Sequence, residues 1–246
     1  MKKTVLSKDL SPVFNHARSL DAIIKSYSRV WASEETKSRF IKTDKRKAFN
    51  HLVLWAIDCQ NLNYETTMAF NLLEDQLKTG VTDTKSQGQV NWYTFQDVIM
   101  QFCCNDIAYR IRSMWDKLGQ VINTYFLRSK YPKEKVSLHT AVNALKKEGY
   151  SSLVTIMENV IKSKVFSDVK SYRDDFTHNL TQELANRYKL HGRFWHTDEL
   201  IDLMVNSYQQ VIDTYGIVFK SIGQDAAYTA IIDFQEMHDK TPFFGG

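Results

Sequence analysis

The sequence predicts an all-α fold: an antiparallel bundle of four to five long helices with an N-terminal helical elaboration. Three observations lead there. Gly and Pro are scarce, at nine and three in 246 residues, where average usage gives roughly 17 and 12. Turns and strands consume those residues, so few connections are expected. Apolar residues recur at helical spacing, and no segment alternates every second residue for long. Aromatic residues, 13% of the chain, supply bulk for a sizeable core.

Taken in order, residues 10–32 and 44–79 are helical material at the N-terminal end. Residues 80–90, GVTDTKSQGQV, form the strongest loop signal in the chain. A long stripe follows: Phe95, Val98, Phe102, Ile107, Ile111, Met114, Leu118, Val121 and Tyr125, at steps of three, four or five. Pro132 marks a break, and Gly149, behind Lys146, Lys147 and Glu148, has the place of a C-terminal cap. Val165, Val169, Tyr172, Phe176, Leu180 and Leu184 make the next stripe. After His191-Gly192-Arg193, Thr197 with Asp198 and Glu199 reads as a helix N-cap followed by acidic first-turn residues. Leu200, Met204, Tyr208, Val211, Tyr215, Val218 and Ile222 complete the series. Each stripe must bury its apolar face against another helix, which a bundle achieves. With no internal repeat and no low-complexity tract, residues 1–246 read as one all-helical domain, the 80–90 loop being the alternative boundary.

Lys and Arg number 32 against 28 Asp and Glu, a formal charge of +4. This balance permits a phosphate-bearing partner without demanding one. No stretch reaches the roughly 18 apolar residues of a membrane span, so no membrane partner is expected. Cys59, Cys103 and Cys104 show no Cys-x-x-Cys spacing and read as reduced thiols of a cytoplasmic protein. Metal and cofactor motifs fail. There is no Glu-x-x-His for a di-iron bundle, and His191 and His196 lack a shared-face spacing. No Gly-x-Ser-x-Gly, P-loop or Gly-x-Gly-x-x-Gly occurs. The expected metal and cofactor content is none.

One stretch carries chemistry: Ser171-Tyr172-Arg173-Asp174-Asp175-Phe176-Thr177-His178. It places an Arg, an acidic residue, three further positions and a His on one helix. Arg-x4-His resembles the R-[polar]-x(3–5)-H motif of the HEPN superfamily, the higher-eukaryote and prokaryote nucleotide-binding helical domains. The upstream segment Asp106–Gly119, containing Arg110, Arg112, Asp116 and Lys117, is similar to the other long helix of a bacterial stand-alone subfamily. The resemblance covers roughly residues 90–240 and leaves 1–85 as the N-terminal extension.

What the resemblance implies is a metal-independent endoribonuclease, acting as a homodimer and leaving 2′,3′-cyclic phosphate ends, in stress response or phage defence. RNA is the implied partner, with an antitoxin or regulatory protein as a further one. His178 would be the general acid or base, Arg173 would hold the phosphate, and Asp174 would orient the His178 ring. The HEPN fold also serves as a non-catalytic RNA-binding or protein-interaction module, and that alternative stands beside the nuclease. Some HEPN toxins carry a Tyr two residues after the His; here Leu180 stands there, so no modifying partner is inferred. On an ideal helix His178 and Asp174 fall opposite the core stripe while Arg173 lies at its border, so a composite site across two protomers is expected. Arg193, Phe194, Trp195 and His196 interleave basic and aromatic groups, and offer stacking and phosphate contacts to RNA. Their bland reading is a loop pinned to the bundle by its aromatic residues.

Overall fold

A computed structural model describes residues 6–33, 43–81, 95–178 and 195–240, with the backbone alone for 43–49, 97, 175–178 and 225–240. Helix α1 (Ser11–Ala32) starts where Asp9 accepts hydrogen bonds from the Ser11 backbone and hydroxyl, with Pro12 in the first turn. There the missing N–H of proline costs nothing. Helix α2 (Thr43–Thr79) runs antiparallel to α1, as Asn63–Ala17 and Gln60–Asp21 contacts show. Helix α3 (Phe95–Tyr125) returns beside α2, paired through Arg110–Glu65 and Lys117–Asp58. A turn containing Pro132 and a single 3-10 turn, Lys133–Lys135, lead into α4 (Leu138–Lys147). Ser137 and Thr140 close a reciprocal capping box at the α4 start. Gly149 follows at φ 85°, the left-handed conformation expected of it. Helices α5 (Ser151–Lys162) and α6 (Lys164–His178) come next, and α7 (Thr197–Lys240) closes the chain. The α7 helix begins at Thr197 itself, with the His196 carbonyl accepting from the Leu200 N–H at 2.9 Å.

Helices α1, α2, α3 and α7 surround one core, each packed on the next, and α4, α5 and α6 carry the chain from the end of α3 back to the start of α7. Helix α6 is antiparallel to α3, with Phe166 beside Trp115 and Tyr172 beside Asn105. Among the described residues, one hydrophobic cluster runs through all seven helices. The α7 stripe behaves as its spacing predicts: Leu200, Met204, Tyr208, Val211, Tyr215, Val218 and Ile222 are all buried.

Two sets of buried neutral polar groups tie this bundle together across helices. The Tyr208 hydroxyl donates to Asn63 Oδ1, and Asn63 Nδ2 donates to the Ala17 carbonyl at 3.0 Å, tying α7, α2 and α1. The Tyr215 hydroxyl donates to the Met114 carbonyl at 2.7 Å and lies 3.1 Å from Cys59 Sγ, joining α7, α3 and α2. Gly119 is required by proximity: a Cβ there would stand 3.0 Å from backbone atoms of Ser137 and Leu138.

The α3 stripe divides. Ile107, Ile111, Met114, Leu118 and Val121 are buried, but Phe95, Val98 and Phe102 are 74%, 51% and 68% exposed. The five-residue step from Phe102 to Ile107 explains the correction. Five residues turn a helix through about 140°, so the residues before that step belong to a different face. Among the described residues no helix is long and apolar enough to cross a membrane.

Candidate functional site at the junction of α3 and α6

Ser163 starts α6: its Oγ accepts from the Phe166 N–H at 3.2 Å and from Gln210 Nε2 of α7 at 2.8 Å. Phe166, Val169 and Tyr172 then face inward and are buried. The Phe166 ring lies 5.5 Å from Trp115 and 5.8 Å from His139, and the Tyr172 hydroxyl donates to Asn105 Oδ1. These contacts fix both the register and the rotation of α6 against α3. The residue after Tyr172 is therefore held at the edge of the helix pair, and that residue is Arg173.

Arg173 is half-buried, and its Nη1 donates to Asp174 Oδ1 at 2.8 Å. Asp174 thus meets the arginine one position before it. The sequence-based role of Asp174, orienting His178, concerns a side chain that lies outside the described residues, as do Arg193 and Phe194. Trp195 is 7% exposed, its ring perpendicular to Tyr172 at 6.3 Å, so it packs the α6–α7 junction and leaves little face for a base. His196 is half-buried at the head of α7.

At the same junction α3 contributes a pair, Arg112 and Asp116, that the sequence places in the resembling helix without a role. Asn105, Arg112 and Asp116 share one flank of α3, seven and four residues apart. Arg112 Nη2 lies 3.5 Å from Asp116 Oδ1. Burial pushes the Asp116 carboxyl up from its ordinary value, against the opposing pull of Arg112, Arg173 and His139. His139, from α4, is pushed down, first by burial and then by the positive charges of Arg112 and Lys170. A neutral imidazole, two guanidiniums, a lysine and a carboxylate are gathered here from three helices. Arg112 Nη1 and Trp115 Nε1 are screened from solvent and have no hydrogen-bond acceptor among the described residues. Arg112 and Asp116 carried a signal, an i,i+4 charged pair in a helix otherwise rich in core residues; His139 carried none.

Chemically, two guanidiniums at one helix junction suit a phosphodiester, which presents paired anionic oxygens to planar N–H forks. Among the described residues no group of three His, Cys, Asp or Glu side chains could hold a metal ion. The free cysteines are not placed to serve as nucleophiles. All three are buried, and burial pushes the Cys59 and Cys103 thiols up to about 12 and about 11. A protonated, enclosed thiol is inert.

A family model described as Cthe2314-like HEPN matches residues 59–223, two thirds of the chain, from the middle of α2 into α7. No curated protein matches the chain, and no solved structure does.

Proposed function

The chain belongs to the Cthe2314-like HEPN family, a nuclease or RNA-related helical module, and from that premise we propose that it is a metal-independent endoribonuclease acting as a homodimer. The observation that supports this reading most is Arg173 held at the α3–α6 junction, where it and Arg112 both act on the charge of Asp116, with His178 five positions further along the same helix. In the proposed reaction a base takes the proton of the RNA 2′-hydroxyl, and the 2′-oxygen attacks the adjacent phosphorus. The bond to the 5′-oxygen breaks, and an acid protonates that leaving oxygen. The products are a 2′,3′-cyclic phosphate and a 5′-hydroxyl, and charge on the phosphorane falls to the arginines. His178 takes the proton-transfer role, since an imidazole titrates near pH 6.5. Arg173 grips the phosphate, and the Asp174 contact fixes the guanidinium plane. His196 at the head of α7, with Arg193 and Phe194 shortly before it in sequence, supplies further RNA contacts in this reading.

The test is a denaturing-gel cleavage assay with EDTA present, comparing the wild type with Arg173→Ala and His178→Ala. Cleavage by the wild type that both variants lose supports the nuclease. RNA binding without cleavage in all three moves the reading to a non-catalytic RNA-binding module.

A further inference from the structure

On α3, every side chain among the described residues that is exposed is large and apolar: Phe95, Val98, Phe102 and Tyr109. Beside it, α2 presents Leu54, Ile57, Tyr64, Met68 and Leu72, all exposed. Helical steps of three, four and seven place each set on one outer face. The two helices are antiparallel neighbours, so the sets form one two-helix face. At roughly 100 Å² exposed per large apolar side chain, nine of them present on the order of 900 Å². A monomer's largest apolar patch is typically about 300–600 Å², whereas a stable interface takes about 800 Å² from each partner.

We propose that this α2–α3 face is the interface between two copies of the chain. Three features favour a second copy as the occupant. First, Phe95, Phe102 and Tyr109 are spaced seven residues apart, so the aromatic stripe is symmetric about Phe102. Two α3 helices meeting antiparallel across a two-fold axis at Phe102 set that ring against its own symmetry mate and Phe95 against Tyr109. An isologous contact requires such self-complementarity. Second, the charges on the face close within the chain. Arg110 Nε lies 2.9 Å from Asp106 Oδ2, and the same guanidinium pairs with Glu65. Two copies therefore meet without opposing like charges. Third, Arg112 and Asp116 lie about 80° and 40° around α3 from Phe102, on the side toward α6. The candidate site is thus at the rim of the face, where a second protomer can complete it. For that completion, though not for the interface itself, the inference rests on the nuclease reading.

Light scattering of the full chain at micromolar concentration is expected to give the mass of two chains. Phe102→Glu and Met68→Glu should each give one chain with an unchanged far-ultraviolet circular dichroism spectrum, while Asn159→Glu, on an exposed position of α5, stays dimeric. Phe102→Cys, oxidised with copper phenanthroline, should yield a covalent dimer that Asn159→Cys does not; this holds even where a charged variant fails to fold. A wild type of single-chain mass overturns the proposal, and so does a dimer indifferent to both Glu substitutions. RNA cleavage on the same samples separates the two ideas. A dimer lost in Phe102→Glu, with no RNA cleaved by any sample, keeps the interface and overturns the nuclease.

Discussion

Two polar regions of this molecule are built in opposite ways. Between α1, α2, α3 and α7, two sets of neutral buried groups close across the helices: Tyr208 on Asn63 and Asn63 on the Ala17 carbonyl, and Tyr215 on the Met114 carbonyl. At the α3–α6 junction the groups are charged, half-buried and crowded, and the acid and the imidazole are held away from their ordinary titration. The first arrangement uses its polar atoms to fix the register of long helices. The second retains donors such as Arg112 Nη1 for which the described residues provide no acceptor. A fully satisfied network rigidifies a core, whereas a buried donor without an acceptor carries a free-energy cost that an anionic ligand would relieve.

The comparison breaks first on activity. His178→Ala and Arg173→Ala are expected to lower RNA cleavage by about 100-fold or more, with little change in the unfolding midpoint. A large loss of stability instead, read by thermal melting, would make the junction a second structural network. In the bundle the expectation reverses. Asn63→Leu removes the Tyr208 acceptor and the α2–α1 bond to the Ala17 carbonyl, and should cost about 1–3 kcal/mol in urea unfolding, leaving cleavage per folded molecule unchanged. Gly119→Val pushes a side chain against the Ser137–Leu138 backbone and should cost about 2 kcal/mol. Because Gly119 joins α3 to α4, this variant reports whether His139 of α4 needs that close approach.

Acidity gives the smallest effect and the finest distinction. His139 has a folded-state pKa below its ordinary 6.5. As pH falls through about 6.5, the unfolded chain takes up a proton at this residue before the folded chain does, so stability declines. Above that range the contribution is fully present. His139→Gln should flatten this limb of a melting-temperature profile below pH 6.5 and leave the profile at pH 8 unaltered in shape. An unchanged slope would place the acid sensitivity elsewhere.

What was legible in the sequence follows the length of each periodic signal. The α7 stripe keeps steps of three and four from Leu200 to Ile222 and is buried throughout. Tyr172 belongs to the α6 core stripe by spacing, and its burial fixes the position of Arg173. The α3 stripe was misleading because it joins two faces at a step of five, and an outward face of Phe and Tyr has the same composition as an inward one. Arg112 and Asp116 are legible only as a charged pair, which on most helices is a solvated one. His139 sits in a short helix far from α6 in sequence, so its place at the junction arises from tertiary packing alone. Lys162 and Lys164, either side of Ser163, are exposed and paired with Glu158 and Asp168, as solvated helix-face lysines are.

The contact between Cys59 and Tyr215 has a consequence for watching the protein breathe. Cys59 lies in the seam where α2, α3 and α7 meet, and Cys104 is equally enclosed on α3. A thiol reagent added to the native protein reacts there only when a helix swings away, so its rate counts openings rather than collisions. The three cysteines act as timers at two places in one bundle, with no label to introduce. If RNA or a second protomer clamps α3, the Cys103 and Cys104 timers slow together, and Cys59 shows whether the seam with α7 is held as well.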